Sequence, residues 1–123
     1  MPKITIPALV DMHVHFRQPG QENKETIATG CAAATAGGFG AVAAMPNTNP
    51  PVDTPELVQY VKTQGQGQGC RVYPVAAITA GQKGERLCDF EALRKAGAVA
   101  VSDDGLPVRS EALMRSALLR ARE

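Results

Sequence analysis

Short apolar runs alternate along this chain with longer stretches whose apolar residues recur at helical spacing. The first run, around Ile6 to Val10, passes into Asp11-Met12-His13-Val14-His15-Phe16-Arg17. Successive side chains of a strand point to opposite faces, so Asp11, His13, His15 and Arg17 share one side and Met12, Val14 and Phe16 the other. After a Pro19-Gly20 loop, Ile27, Cys31 and Ala34 fall at i, i+4 and i+7 of a helix, with Asn23 as its expected N-cap and Glu25 in its first turn. Gly37-Gly38 stops that helix. Ala41–Met45 reads as a strand buried on both faces. Thr54 and Pro55 then open a second helix with Leu57, Val58 and Val61 inward. Gln64–Gly69 is a flexible connection; with no Lys-Ser/Thr and a strand rather than a helix after it, it is no phosphate cradle. A third strand spans Cys70–Ile78, with Pro74 as a local objection. A short helix runs from about Asp89 to Ala96, and Ala98–Val101 is the fourth strand. Ser110 caps a last helix whose Leu113, Met114, Ala117, Leu118 and Ala121 line one face.

The strands start roughly 30 residues apart and each is followed by helical sequence, the cadence of βα units around a parallel sheet. A closed eight-fold barrel takes roughly 250 residues. Residues 1–123 therefore read as one α/β domain of four βα units, about half of a TIM-type (β/α)8 barrel. The sequence stops inside a periodic helix with no Gly, Asn or Pro to close it, which points to a truncated chain. Half a barrel leaves two open strand edges and an uncovered apolar interior. An oligomer, or partial disorder until the missing half is supplied, is the expectation.

Composition narrows the partners. A net charge of +1 without a basic stripe argues against nucleic acid and acidic membrane surfaces. Neither a bilayer-spanning run nor the apolar core of a signal peptide is visible, and the three cysteines form no Cys-x-x-Cys, so the cytoplasm is the expected compartment.

Chemistry in parallel α/β sheets gathers beyond the carboxyl ends of the strands. The first strand ends in His13, His15 and Arg17, the second in Asn47, the fourth in Asp103-Asp104; Thr79 at the third is less informative. A lone His-x-His is weak, and Asn47 or Asp103 taken singly reads as a turn cap. As a set at strand ends they read as a site. His13 and His15 would hold zinc, with one carboxylate of the fourth strand closing the shell or bridging to a second ion. Zinc acidifies water and polarises a carbonyl. The planar fork of Arg17 suits a substrate carboxylate, and Asn47 adds an amide donor. Metal-assisted hydrolysis, or its reversal, of an amide-like bond in a small anion is the reaction class that follows.

Asp11–Gly20, Ala44–Pro51 and Ser102–Gly105 closely resemble dihydroorotase, and more narrowly the bacterial type I branch of the amidohydrolase superfamily. The resemblance runs through nearly the whole chain. By position it implies a metal-dependent hydrolase barrel with one or two zinc ions, His13 and His15 as ligands, and Arg17 and Asn47 on the substrate carboxylate. It points to Asp104 rather than Asp103 for the bridging position. Related hydantoinases, dihydropyrimidinases and allantoinases place a carboxylated lysine near there; no lysine follows Lys95, which favours dihydroorotase. The implied reaction is the reversible cyclisation of N-carbamoyl-L-aspartate to L-dihydroorotate in pyrimidine biosynthesis. Family members carry two more metal-binding histidines and a catalytic Asp in the second half of the barrel, and a small flanking β-domain. This sequence has none of these, and Gln18 stands where Glu is frequent. No residue here takes the catalytic-base role, and a homodimer would only duplicate the first half's groups. The alternative implied is a catalytically inactive dihydroorotase-like binding or assembly module.

Overall fold

In the computed structural model, which describes residues 2–122, four strands form one parallel sheet in chain order. They are β1 (Leu9–Val14), β2 (Phe39–Ala44), β3 (Arg71–Ala76) and β4 (Ala100–Val101). Helices α1 (Ile27–Ala36), α2 (Pro55–Gln64) and α3 (Phe90–Ala96) connect them, and α4 (Glu111–Arg120) follows β4. This is the half-barrel arrangement that the βα cadence predicts, with β1 and β4 as its two edges.

Local chemistry explains most element ends. Thr54 caps α2 with Pro55 at its first position, Asp89 caps α3 through Ala92 N at 3.1 Å, and Ser110 caps α4. Gly97 ends α3 in the left-handed region at φ 114°, where a side chain would be strained. The start of α1 corrects the sequence expectation. Its N-cap is Thr26, not Asn23, because Thr26 and Thr29 exchange bonds between backbone N–H and side-chain hydroxyl in both directions, at 3.0 and 3.1 Å. Glu25 consequently precedes the helix, and its carboxylate accepts from the Thr29 hydroxyl.

β4 is also shorter than expected. Ala98 N turns back to Leu93 O at 3.0 Å, so only Ala100 and Val101 pair with β3, opposite Val75 and Ala76. Pro74 does not break β3: it faces Ala44 at the last register of the β2 ladder, and its carbonyl accepts from Val99 N.

The core lies between the sheet and α1–α3, where Ile27, Val42, Val58, Ala76 and Leu93 are all but fully buried. The outward margins differ. Val10 and Met12 on β1 are 64% and 79% exposed, and β2 is buried at Val42 and Ala44 but only half-buried at Ala41 and Ala43. On α4 only Ala117 of the expected inner face is buried; Leu118 is 59% exposed, since a two-residue β4 gives the helix little sheet to cover.

Cys31, Cys70 and Cys88 are free and buried. Burial, reinforced by the neighbouring Cys70 thiol, pushes the Cys31 thiol up to about 12. Burial pushes Cys88 up to about 11, with Asp53 and Asp103 adding and Arg86 partly offsetting. The thiolate is the reactive form. We expect Cys31 and Cys88 to resist iodoacetamide near pH 8 in the folded chain and to react fully in denaturant. Mass spectrometry showing equal rates in both states would contradict this packing.

Candidate metal centre

Two anchors, one on each side of His15, aim the histidines. Val14 O accepts from Met45 N at 2.9 Å, and Phe16 packs against α1 at Gly30, where an added Cβ would come within 2.3 Å of the ring. With Phe16 fixed in the core, His15 between these residues faces the other way. His13 N donates to Asp11 Oδ1 at 3.0 Å, across a register shift in the β1–β2 ladder between Asp11 and Val14. The imidazole centroids lie 5.1 Å apart, inclined at 70°.

The strand ends at Val14, so the alternation expected to reach Arg17 stops short of it. Arg17 instead takes a left-handed backbone with φ 56°, uncommon for a residue with a side chain and typical of functional loops. Among the described residues its guanidinium forms no hydrogen bond or ion pair, and it does not join the histidine cluster. The loop beyond is locked to the next one. At Gly20 (φ 89°) an added Cβ would fall 1.8 Å from Asn49 O, and Asn49 N donates to Pro19 O at 3.0 Å. Only glycine permits that crossing, and it fixes the loop that carries Asn47.

The adjacent aspartates after β4 diverge. Asp103 is buried; its carboxylate accepts from Ile78 N at 2.8 Å, Thr79 N at 3.1 Å and the Thr79 hydroxyl, tying β4 to the end of β3. Asp104 turns to the histidines. Its Oδ1 lies 3.3 Å from His13 Nε2 and its Oδ2 lies 3.4 Å from His15 Nε2. Asn47 completes the cluster, with Oδ1 at 2.9 Å from His15 Nδ1 and Nδ2 donating to Asp104 Oδ2 at 3.0 Å. In a flat sheet β1 and β4 would stand about 14 Å apart, three strand spacings. Sheet curvature and the reach of the side chains close that gap.

The spacing fits a small ion. Ligands about 2.0–2.1 Å from a tetrahedral zinc stand roughly 3.3 Å from one another. One donor atom from each of His13, His15 and Asp104 lies within 4.8 Å of the others, and the nearest nitrogen–oxygen pairs match that tetrahedral edge. His13 is half exposed, so the cluster opens to solvent on one side. What the sequence did not disclose is the link from Asn47 to both His15 and Asp104, since no local pattern joins residues on three different strand ends.

Residues 2–123 match the family described as dihydro-orotase-like. The chain belongs to that family. Similar proteins include the dihydroorotase of Caldanaerobacter subterraneus subsp. tengcongensis, 53% identical over 92% of this chain and 26% of that protein. Another is the dihydroorotase of Pelobacter propionicus, 55% identical over 95% of this chain and 28% of that protein. The chain thus spans about a quarter of the length of these dihydroorotases. Among solved structures, the L-hydantoinase (dihydropyrimidinase) from Arthrobacter aurescens matches 93% of this chain and 26% of its own, with TM-score 0.70 and 22% identity. That likeness carries the barrel fold.

Proposed function

We propose that His13, His15 and Asp104 hold zinc, as one ion or as part of a pair, in a dihydroorotase-type cyclic amidohydrolase centre. The reaction proposed is the reversible interconversion of N-carbamoyl-L-aspartate and L-dihydroorotate in pyrimidine biosynthesis. One observation carries this reading: the convergence of two Nε2 atoms on the two oxygens of one carboxylate, at 3.3 and 3.4 Å, in a chain of this family. When bound, zinc supplies acidified water and polarises the amide carbonyl.

The chain's own residues do the rest. Arg17, unengaged among the described residues, offers a planar set of donors to the substrate carboxylate. An amide carries two hydrogens; Asn47 gives one to Asp104 and keeps the other for the substrate carboxylate. Asp104, shared by both imidazoles, anchors the charge of the ion against β4. The four βα units of 1–123 act as one domain, and the cytoplasm is the compartment that goes with this chemistry. Among the described residues no helix is long and apolar enough to cross a membrane.

Zinc titration of the 123-residue chain, followed by dihydroorotate hydrolysis assays, tests the reading. Stoichiometric zinc uptake is expected. Turnover would establish the enzyme; dihydroorotate binding without turnover would favour the binding or assembly module; absence of zinc uptake would reject the centre. The exposed Val10 and Met12 on an edge strand also lead us to expect self-association. Sedimentation showing a concentration-independent monomer would refute that.

A further inference from the structure

We infer that Asn47 is a positioning residue, whose carboxamide sets the tautomer of His15 and fixes the carboxylate of Asp104. The inference deepens the metal-centre reading and rests on it. An ionised carboxylate only accepts hydrogen bonds, so the Asn47 atom 3.0 Å from Asp104 Oδ2 is the amide nitrogen. The amide oxygen must then be the atom facing His15 Nδ1 at 2.9 Å. An oxygen accepts, so Nδ1 carries the proton. In a neutral imidazole that leaves the lone pair on Nε2, the atom that lies 3.4 Å from Asp104 Oδ2 in the cluster.

One side chain therefore settles three variables: which nitrogen of His15 can ligate, how its ring is turned, and where one oxygen of Asp104 stands. This is the role commonly taken by a carboxylate or backbone carbonyl behind a metal-bound histidine. Asn47 can fill it because the loop that carries it is clamped to the preceding loop at Gly20. His13 provides an internal control. Among the described residues its Nδ1 has no such partner.

The test compares wild type, Asn47→Ala and Asn47→Asp in the full chain, by zinc competition titration and long-range proton–nitrogen NMR of the zinc-loaded protein. Expected for wild type is a His15 resonance with the proton on Nδ1 and none on Nε2. Asn47→Ala should raise the zinc Kd by about 10–100-fold, the usual cost of losing an outer-sphere partner. It should also broaden the His15 Nδ1–H signal and leave that of His13 unchanged. Asn47→Asp, which keeps an acceptor opposite Nδ1, should restore the His15 signal. That variant also keeps the test open should the alanine chain fail to fold. Wild-type zinc affinity in Asn47→Ala, or zinc found on His15 Nδ1, would overturn the inference while leaving the centre intact. A wild-type chain that takes up no zinc rejects the centre and the inference together.

Discussion

Asp104→Ala is expected to raise the zinc dissociation constant by more than about 100-fold, beyond what loss of an outer-sphere partner costs. The carboxylate is the one charged group in the cluster and touches both imidazoles, so its removal leaves only two imidazoles, two residues apart at the end of β1. The same change should barely affect the stability of the zinc-free chain. Asp104 is partly exposed and its loss frees one N–H of the half-buried Asn47, a change worth about 1 kcal/mol or less. Competition with a chromophoric chelator measures the first quantity, and urea unfolding in EDTA the second. Zinc affinity equal to wild type would remove Asp104 from the centre.

Its neighbour should show the reverse pattern. Asp103→Ala deletes the acceptor for two backbone N–H groups, Ile78 and Thr79, and for the Thr79 hydroxyl, in a buried position. Leaving a buried donor without a partner costs about 1–3 kcal/mol each, so a loss of about 3 kcal/mol or more is expected. Domains of this size are stable by about 5–15 kcal/mol in total, so the urea midpoint should fall sharply. Asp103→Asn keeps an oxygen for the two N–H groups and should fall less. Midpoints for Asp103→Ala and wild type that coincide would mean the carboxylate is not what ties β4 to β3. Two residues adjacent in sequence would thus separate cleanly, one by stability and one by metal affinity.

Much of this architecture is legible without coordinates because period carries it. Apolar runs such as Ala41–Ala44, spaced between helical stretches, force parallel βα units, and strand ends are where a parallel sheet collects its polar groups. His13, His15, Asn47 and Asp104 meet for that reason. What local pattern does not encode is competition among equally suitable residues. Asn23 and Thr26 are both good caps; Thr26 prevails because Thr29 returns its bond. β4 reads as four residues but pairs over two, since pairing depends on where β3 and α3 place their carbonyls. The strand pattern at Arg17 fails because the chain turns left-handed there before the alternation is complete.

The cluster also spans the whole length of the sheet order, joining its first strand to its last. A cation gripped there would act as a rivet across a loop of roughly 90 residues, removing denatured-chain entropy of the order a disulfide of that length removes, about 4.5 kcal/mol. Loading the ion would then stabilise the curved sheet that already brings these strands together, so a chelator should lower the unfolding midpoint as well as empty the site.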